Sequence, residues 1–363
     1  MNRILLLGAG KIGQMIARML SSEGYSILVG DINADAFSGL DQHDNIETRV
    51  IDVTDENQLI KDMVGCDAVI SALCFEYNAG VARAALGAGI SYFDLTEDNA
   101  TTAAVREISE SAGKDQIFMP QCGLAPGFVS VSAHHLTKQF DEIYTAHMRV
   151  GALPKFPTNA LKYNLTWSTD GLINEYCNLC DAIVDGDRMQ VLPLQGLEYF
   201  SLDGVRYEAF NTSGGLGTLC ETLEGRVQEL NYKTVRYMGH RELMTFVLDE
   251  LKLRNKKELL RDILEGSIPM TLQDVVIVFC TVTGMQNGKL MQVSDARKIY
   301  SRTMYGRLWS AIQITTASGI CTAVDLHFGG SLPNSGFVKQ EAINFDEFIS
   351  NKFGCNYAIK EGA

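Results

Sequence analysis

A glycine-rich turn near the start of the chain restricts its fold more than any other feature of the sequence. Gly8, Gly10 and Gly13 match the pattern G-x-G-x-x-G, directly after the apolar strand candidate Ile4–Leu7 and directly before an amphipathic helical pattern. A lone match would be weak evidence, but strand, turn and helix in this order are the context in which the pattern binds dinucleotides. The sequence therefore predicts a Rossmann domain at the amino terminus.

Each part of this turn has a physical reason to be there. Gly8 permits the tight turn, Gly10 lets the backbone approach a pyrophosphate, and Gly13 allows the helix to pack closely on the strand. The phosphates would lie beside Lys11 and Ile12, where the N–H groups of the first helical turn and the helix dipole favour anions. We therefore expect residues 8–13 to hold the phosphates of a dinucleotide.

An acidic residue follows at the distance that dinucleotide-binding domains use. Asp31 ends the second strand candidate, 18 positions after Gly13. Its carboxylate can accept hydrogen bonds from both ribose hydroxyls, and its charge repels a 2′-phosphate. No Lys or Arg occurs in the next four residues, Ile32 to Asp35. NAD is therefore favoured over NADP as the cofactor; the alternative is an acid that only ends a strand.

Two further segments are candidates for contact with the nucleotide. Asp52, at the end of the third strand candidate, could meet the adenine edge, although the run 52–55 would cap a helix nearly as well. Ser71, Ala72 and Leu73 end the fourth strand candidate, where the nicotinamide half usually lies. We count all four residues as predicted cofactor contacts.

Strand and helix patterns alternate regularly through the first third of the chain. Helical stretches with one apolar face separate six short apolar or β-branched segments: Ile4–Leu7, Ile27–Val29, Arg49–Val53, Ala68–Leu73, Tyr92–Leu95 and Ile117–Met119. Such alternation predicts a parallel sheet with helices on both faces. The fold class is therefore α/β, with a doubly wound Rossmann domain over residues 1–125.

The pattern changes after about Pro126, where hairpin signals begin. Three dipeptides that favour tight turns separate strand-like segments: Asp185-Gly186, Asp203-Gly204 and Asn287-Gly288. Helices are expected at Val129–Lys138, Gly306–Leu326 and Phe345–Phe353. The sequence therefore predicts a second α+β domain on a mixed, largely antiparallel sheet over residues 126–326, with residues 327–363 rejoining the first domain.

Charge and cysteine usage exclude several classes of function. The formal net charge of −13 opposes binding to nucleic acid, because each phosphate contact needs local Lys or Arg. Apolar runs such as Val275–Cys280 are far shorter than the roughly 20 residues of a membrane-spanning helix. Nine scattered cysteines and a strand pattern at the amino terminus indicate a reducing cytoplasm. Cys177 and Cys180 have C-x-x-C spacing without further ligands, so we predict no metal site.

The reacting end has less specific signals. Asp94 lies in the polar run Tyr92–Asp98, just past the fifth strand, at the edge where ligands bind in open α/β sheets. Thr96 or Asp98 could equally cap the next helix. The small-residue loop Thr212–Gly215 could hold an anion or form only a turn.

A second polar cluster lies in the segment Lys233–His240. Alternation along a strand would place Arg236 on one face and Tyr237 on the other, and His240 would open the next helix. Arginine can clamp a carboxylate, and histidine can transfer a proton near neutral pH. The alternative is a solvent-facing strand followed by a structural histidine. We select Arg236, Tyr237 and His240, together with Asp94, as candidate catalytic residues.

These motifs resemble the saccharopine dehydrogenase superfamily. Within it, the sequence is most similar to the single-subunit branch that contains bacterial saccharopine dehydrogenase-like proteins and lysine 6-dehydrogenase. The matching stretches are Gly8–Gly13, Tyr92–Glu97, Gly123–Gly127, Thr212–Gly215 and Lys233–His240. They follow the family's order over about two thirds of the chain, whereas the carboxy-terminal third matches only in general pattern.

The resemblance implies a Rossmann domain followed by a substrate domain, a cleft between them, and a homodimer. It also implies oxidation at the C–N bond of a lysine-derived amino acid with NAD(P), or the reverse reductive amination. The residues that would hold the cofactor are Gly8, Gly10, Gly13 and Asp31. Residues 124–127 would line the cleft, and Arg236, Tyr237 and His240 would face the substrate.

Two other functions remain open at this point. Thr96-Glu97-Asp98 departs from the Gly-Gly-His-like run of some lysine 6-dehydrogenases, which favours a saccharopine-type enzyme over ε-deamination of lysine. A non-catalytic regulator that senses the redox state of a dinucleotide is the other alternative. The cationic, histidine-bearing segment Lys233–His240 argues against the regulator, because cofactor sensing needs no such cluster.

Overall fold

The computed structural model describes residues 2–40 and 45–359 of the chain. The chain forms two compact units. The first unit contains the described residues up to Val131 together with Gln313–Ala358, and the second contains mainly Ser132–Ile312. The domain boundaries that the sequence suggests, after residues 125 and 326, stay predictions.

Helices and strands alternate in the amino-terminal part. In chain order they are β1 (Arg3–Leu7), α1 (Lys11–Ser22), β2 (Ser26–Asp31), β3 (Ile46–Val50), α2 (Glu56–Asp62), β4 (Ala68–Ser71), α3 (Phe75–Ala88), β5 (Ser91–Asp94), α4 (Asn99–Ser109), β6 (Ile117–Met119) and α5 (Phe128–Thr137). None of the described helices of the chain is both long and apolar enough to span a bilayer.

Strands predominate in the part that follows. The elements are β7 (Glu142–Pro154), α6 (Thr169–Cys177), β8 (Cys180–Val184), β9 (Asp187–Val191), β10 (Glu198–Leu202), β11 (Val205–Asn211), α7 (Leu219–Leu223), β12 (Val227–Tyr237), α8 (His240–Thr245), α9 (Lys257–Ser267), β13 (Asp274–Gln286), β14 (Lys289–Tyr300), β15 (Arg302–Met304), β16 (Arg307–Trp309), α10 (Ala311–Phe328), β17 (Gly336–Phe337) and α11 (Phe345–Ser350).

A parallel sheet forms the centre of the first unit. Within the described residues it has seven strands in the order β17-β6-β5-β4-β1-β2-β3. β1 lies between β2 and β4, since Leu7 pairs with Gly30 on one side and with Ser71 on the other. This order places a topological switch point at the carboxyl end of β1, where doubly wound sheets bind ligands. The predicted doubly wound α/β fold is confirmed.

Burial on both faces explains why these strands are continuous apolar runs. All residues of β1 except Arg3 are buried, as is the whole of β4. Helix α1 buries one side, with Met15, Ile16 and Met19 among its covered residues. The spacing of these residues at intervals of one and three positions is that of an amphipathic helix lying on a sheet.

A mixed sheet forms the second unit. It has eight strands within the described residues, in the order β10-β11-β12-β7-β13-β14, with β8 paired to both β12 and β9. Every pairing in it is antiparallel except that of β12 with β7. The predicted α+β second domain on a largely antiparallel sheet is therefore confirmed.

The three predicted hairpins are confirmed as well. Each turn dipeptide joins two paired strands: β8 to β9, β10 to β11, and β13 to β14. Both turn residues have positive φ in each case, for example +53° at Asp185 and +89° at Gly186. Two-residue turns of this kind match the right-handed twist of the strands, and Asp-Gly and Asn-Gly adopt them with little strain.

One predicted helix is wrong at its start. The sequence pattern predicts a helix from Gly306, whereas β15 and β16 form a hairpin there and α10 begins at Ala311. Tyr305 and Gly306 both have positive φ, +51° and +78°, and make the two-residue turn. The hairpin signal was missed because tyrosine is not a typical first residue of such a turn.

Smaller corrections concern element ends. The third strand ends at Val50, so Asp52 lies beyond it in an exposed turn. The helix that was expected to run through Cys177 and Cys180 ends at Cys177, and Cys180 begins β8. Both thiols are free, and the described residues contain no group of three or more His, Cys, Asp or Glu that could hold a metal ion. The last helix stops at Ser350, three residues early.

Helix α10 approaches the backbone after β6 very closely at one glycine. A Cβ on Gly319 would lie 2.5 Å from the Gly123 carbonyl oxygen and 2.7 Å from that of Cys122. Neither backbone atom can move away as a flexible side chain could. The position therefore requires glycine for packing, although alanine has the higher helix propensity.

We expect Gly319→Ala to lower the free energy of unfolding by about 1–3 kcal/mol, the usual cost of overpacking a core. The matched control is Gly80→Ala in α3, where the nearest atom to a new Cβ is the end of the Arg83 side chain at 3.7 Å. That substitution should stabilise the protein by about 0.5–1 kcal/mol through helix propensity. Urea denaturation followed by circular dichroism measures both, and equal stability of the two variants would contradict the packing argument.

Candidate functional site

Steric contacts explain two glycines of the turn between β1 and α1. Gly8 has φ +99°, and a Cβ there would lie 2.8 Å from the Ala72 carbonyl oxygen. A Cβ on Gly13 would overlap the Gly8 carbonyl oxygen. Neither position accepts a side chain, so the turn, the helix and the end of β4 come together at one point.

Gly10 leaves an opening at the same point. It is the N-cap of α1, makes no side-chain cap hydrogen bond, and a Cβ there would meet no atom within 4 Å. Lys11 is exposed and Ile12 is half-buried at this end of the helix. A first helical turn without a side-chain cap is suited to an anion from outside. The turn therefore fits the pyrophosphate of a dinucleotide.

Asp31 connects the end of β2 to this turn. Its Oδ2 accepts a hydrogen bond from the Ala9 N–H at 2.7 Å, and its Oδ1 accepts one from the Asn33 N–H at 2.9 Å. The side chain is only partly buried. Each carboxylate oxygen has a second lone pair, so Asp31 can still accept hydrogen bonds from ribose hydroxyls.

The end of β4 borders the same turn. The Ser71 hydroxyl is buried and donates to Asn78 Oδ1 at 2.7 Å, so its proton is already used inside the unit. Ala72 and Leu73 both lie against Gly8. Asp52 is different, because it is exposed and accepts hydrogen bonds from the Thr54 N–H and hydroxyl at 2.9 and 2.7 Å. These two bonds lower the pKa of its carboxyl.

Asp94 is a buried hydrogen-bond centre at the carboxyl edge of the sheet. Its Oδ1 accepts from the N–H groups of Thr96 and Gln121 at 2.9 and 2.8 Å, and its Oδ2 accepts from the Tyr92 hydroxyl at 2.7 Å. Burial raises the pKa of Asp94 to about 6, although these hydrogen bonds oppose the rise. Asp94 therefore fixes the segments that follow β5 and β6.

Glu97 lies close by, in the loop between β5 and α4. Burial raises the pKa of its carboxyl to about 7, and the neighbouring charges of Asp98 and Asp94 add to the rise. A carboxyl with this pKa is suited to transfer a proton near neutral pH. The sequence pattern singles out Asp94 in the segment Tyr92–Asp98. Glu97 differs from the other acids of this segment only through the effect of burial on its pKa, which the sequence does not reveal. Asp98 caps α4 by accepting from the Thr101 N–H at 2.7 Å.

In the second unit, a chain of hydrogen bonds connects Arg236 to His240. Arg236 Nε donates to the Tyr176 hydroxyl oxygen at 2.9 Å. The Tyr176 hydroxyl donates to His240 Nε2 at 3.0 Å, and His240 Nδ1 donates to the Leu161 carbonyl oxygen at 2.8 Å. The carbonyl can only accept, so it fixes the tautomer with the proton on Nδ1.

His240 does not have the near-neutral pKa that the sequence analysis expected. Burial, reinforced by the positive charge of Arg236, lowers its pKa to about 3. The imidazole is therefore neutral over the physiological range, and both of its nitrogens have partners within the unit. Its geometry is that of a group that orients Tyr176 and, through it, Arg236.

Arg236 is a buried cation that forms no salt bridge within the described part of the chain, although the charge of Glu175 acts on it from a longer distance. It is 3% exposed, and its Nη1 donates to the Val235 carbonyl oxygen at 2.9 Å. No carboxylate oxygen of the described residues lies within 4.0 Å of its guanidinium, and these residues provide no acceptor for Nη2. The rings of Tyr163 and Tyr176 lie 5.0 and 5.8 Å away and offer only weaker cation–π stabilisation.

Buried oxygens of the same unit also lack partners among the described residues. Examples are Asn164 Oδ1 and Thr212 Oγ1, each in a residue at most 4% exposed. The Tyr163 hydroxyl is in hydrogen-bonding contact with the Thr166 and Trp167 side chains. A buried polar group without a hydrogen bond costs about 1–3 kcal/mol. A polar ligand would therefore be stabilised by groups that the chain itself leaves unsatisfied.

Tyr237 lies on the opposite face of β12, as the alternation predicts. Its hydroxyl donates to the Pro154 carbonyl oxygen at 3.0 Å, and its ring stacks on that of Tyr207 with centroids 5.8 Å apart. Lys233, on the same face, pairs with Glu198 at 2.8 Å. The structure thus brings Arg236 and His240 together and separates Tyr237 from them.

The loop Thr212–Gly215 is attached to α6, the helix that carries Tyr176. The Ser213 N–H donates to the Glu175 carbonyl oxygen at 3.0 Å, and a Cβ on Gly215 would overlap the Tyr232 ring. The loop does not open a helix directly, since α7 begins only at Leu219. Sequence reasoning missed Tyr176 because no local motif marks an isolated tyrosine that meets an arginine 60 positions later.

Two family models match almost the whole chain. The model described as the saccharopine dehydrogenase NADP binding domain matches residues 4–119. The model described as the saccharopine dehydrogenase C-terminal domain matches residues 123–353.

One curated relative and two solved structures are also similar to this chain. Saccharopine dehydrogenase (NADP+, L-glutamate-forming) of Saccharomyces cerevisiae is 25% identical over 181 residues, which are 47% of this chain and 39% of that enzyme. The chain thus matches well under half of that relative's length. The solved apo structure of the L-glutamate-forming saccharopine dehydrogenase from Saccharomyces cerevisiae superposes with a TM-score of 0.79 at 16% identity, covering 96% of both chains. A probable dehydrogenase from Thermotoga maritima has a TM-score of 0.47 at 11% identity, covering 97% of this chain and 94% of that one.

We expect His240 to remain neutral, with its proton on Nδ1, well below pH 6.5, because its burial beside Arg236 disfavours the imidazolium. Imidazole ¹⁵N NMR of the labelled protein between pH 8 and pH 4.5 measures this directly. His240→Gln identifies the resonance by its loss, and half-buried histidines such as His134 and His135 provide internal references. A titration midpoint near 6.5 for His240 would contradict the structural argument.

Proposed function

Because the chain belongs to the saccharopine dehydrogenase family, we propose that it is an oxidoreductase that acts on the C–N bond of a lysine-derived amino acid. A nicotinamide nucleotide is its cofactor in this proposal, and saccharopine or a close secondary amine is its substrate. The reverse reaction, reductive amination, uses the same groups. The predicted homodimer and cytoplasmic location stay predictions.

The main support for an amino-acid substrate is the buried guanidinium of Arg236. Leaving a buried charge without a partner typically costs about 3–5 kcal/mol. A substrate carboxylate on Nη2 would supply a counter-ion at contact distance and a charge-assisted hydrogen bond. An amino acid has such a carboxylate.

The turn at Gly8–Gly13 supports the proposal that the cofactor is a nicotinamide dinucleotide. Its glycines and the open first turn of α1 suit a pyrophosphate, and Asp31 suits a ribose. The names of the family model and of the yeast relative point to NADP and not to the NAD that the sequence analysis favoured. A carboxylate at Asp31 nevertheless repels a 2′-phosphate. We therefore propose that Asp31 sets the balance between the two nucleotides.

Oxidation of a C–N bond requires a hydride acceptor and a base that accepts one proton from the substrate nitrogen. A nicotinamide nucleotide held in the first unit would supply the hydride acceptor. The substrate nitrogen must also lose a proton, and Glu97 is a carboxyl of the first unit whose pKa of about 7 suits it to accept one near neutral pH. Water then adds to the imine carbon and releases a carbonyl compound and an amine. His240 and Asp94 have positioning roles in this assignment, since their polar atoms are already hydrogen-bonded.

The first experiment is a spectrophotometric assay of NAD and NADP reduction at mildly alkaline pH, with saccharopine and lysine tested in parallel. We expect turnover of saccharopine without release of ammonia. The kcat/KM for amine oxidation should rise as the pH increases through about 7, because the base must be deprotonated, and Glu97→Gln should abolish this rise. Turnover of lysine with ammonia release would instead assign lysine 6-dehydrogenase. Tight nucleotide binding without any turnover would favour the regulator.

An Arg236 variant tests the substrate contact in the same assay. Arg236→Lys keeps the charge but loses the planar pair of donors, so kcat/KM should fall about 10- to 100-fold. Arg188→Lys, at an exposed position on β9, is the matched control and should have no effect. Equal activity of both variants would contradict the assignment of Arg236 as the residue that binds the substrate carboxylate.

Asp31→Ser tests the choice of nucleotide. Without the carboxylate, the affinity for NADPH relative to NADH should rise about tenfold or more, because the repulsion of the 2′-phosphate disappears. Fluorescence titration with both nucleotides gives the ratio for the wild type and the variant. Glu107→Ser, on the exposed side of α4, is the control for a general change of charge. An unchanged ratio in Asp31→Ser would show that this residue does not face the ribose.

A further inference from the structure

Gln121 has an unusual conformation at the carboxyl edge of the parallel sheet. It follows β6 by two positions, has φ +66°, and is 1% exposed. Residues other than glycine rarely adopt the left-handed region, because the Cβ crowds the backbone there. Glycine would adopt this backbone conformation with less strain. The presence of glutamine therefore suggests that its side chain has a role.

Neighbouring hydrogen bonds hold this conformation in place. The Gln121 N–H donates to Asp94 Oδ1 at 2.8 Å, and the next N–H, that of Cys122, donates to the Asp94 carbonyl oxygen at 2.9 Å. Asp94 ends β5, the strand adjacent to β6. The direction of the Gln121 side chain is therefore set by two strands, and not by the flexibility of a loop.

The side-chain amide of Gln121 is unsatisfied among the described residues. Its Oε1 is buried without a hydrogen-bond partner, and these residues provide none for its Nε2 either. Gln340 offers a comparison, because its Oε1 is also unpartnered while its Nε2 donates to the Pro120 carbonyl oxygen. Gln340 lines a small cavity with Cys122 and Phe128, which Gln121 does not line.

The position of Gln121 in the sheet indicates which part of a bound dinucleotide its side chain could contact. A dinucleotide whose pyrophosphate lies at the turn after β1 extends over the carboxyl ends of the neighbouring strands. β4 is adjacent to β1, β5 follows it, and β6 comes next. Strands are about 4.8 Å apart, so the end of β6 is about 10 Å from that of β4. This is the side of the sheet toward which the nicotinamide half would extend.

We propose that Gln121 binds the carboxamide of the nicotinamide ring. Its Oε1 accepts a hydrogen bond from the carboxamide NH2, and its Nε2 donates one to the carboxamide oxygen. The two amides are complementary, and the pair satisfies both orphaned atoms of Gln121. Gln121 is then a positioning residue that fixes the rotation of the ring. The inference rests on the proposed use of a nicotinamide nucleotide and adds a residue on which none of the sequence motifs falls.

Nucleotide binding tests this assignment without any need for turnover. The variant is Gln121→Met, which keeps the length of the side chain and removes both polar atoms. Gln340→Met is the comparison variant, since Gln340 Oε1 is also buried without a partner among the described residues, although its Nε2 donates to the Pro120 carbonyl oxygen. Calorimetric titrations compare NADH and NADPH with ADP-ribose and its 2′-phosphate, which lack the nicotinamide ring. We expect Gln121→Met to weaken binding of the complete nucleotide about tenfold and to leave binding of the ADP-ribose compound unchanged.

A second measurement uses the wild-type protein and does not depend on how well the variant folds. Deamido-NAD carries a carboxylate in place of the carboxamide, so it offers no donor to Gln121 Oε1. The wild type should bind it at least about tenfold more weakly than NAD, and any folded Gln121 variant should lose this discrimination.

The outcomes separate the two hypotheses. Equal weakening of ADP-ribose and complete nucleotide in Gln121→Met would make Gln121 a structural residue and overturn the inference. The absence of discrimination against deamido-NAD in the wild type would overturn it as well, while the proposed cofactor use stands. If the wild type binds neither nucleotide nor ADP-ribose, the proposed function fails and the inference fails with it.

Discussion

Close backbone contact at Gly8 and Gly13 is the constraint on which the first unit depends. Helix α1, the end of β1 and the end of β4 meet there without any side chain between them, and Ala72 packs directly against Gly8. Asp31 holds the same turn from β2 through the Ala9 N–H. Because these contacts leave no room to rearrange, the opening at Gly10 has a defined shape. An anion that enters it meets a preformed first helical turn and does not have to organise one.

The buried cations of the second unit differ in whether a carboxylate lies at salt-bridge distance. Arg149 and Lys233 lie on neighbouring strands and share the carboxylate of Glu198, so their charges are compensated inside the protein. Arg236, on the other face of the same sheet, is hydrogen-bonded to a tyrosine and the backbone, and the charge of Glu175 acts on it only from beyond salt-bridge distance. Burial without compensation is unfavourable unless something else supplies the opposite charge. The contrast is the physical reason to regard the surroundings of Arg236 as a ligand site, and it explains why a neutral His240 is placed behind Tyr176.

Residue chemistry and family resemblance answer different questions about the cofactor. The family matches concern the fold and the lineage of the chain, and their descriptions name NADP. Asp31 concerns one contact, in which a carboxylate and a 2′-phosphate repel each other. The two indications differ because nucleotide preference depends on very few side chains and can change within a family while the sheet and its glycine turn stay the same. In the proposed function, the choice between NAD and NADP therefore depends on Asp31 and its neighbours, and not on the Rossmann fold.

The sequence by itself determined those features whose causes are local. Glycine spacing, apolar alternation and Asp-Gly or Asn-Gly turns act over a few residues, so the doubly wound sheet, the hairpins and the opposite faces of Arg236 and Tyr237 could all be predicted. Only the tertiary structure decided the features that depend on burial and on partners distant in sequence. Burial lowers the pKa of His240, raises that of Glu97, and leaves the side-chain Oε1 of Gln121 without a hydrogen-bond partner among the described residues. Desolvation is a property of the assembled interior, and no pattern within a few positions of the chain carries it.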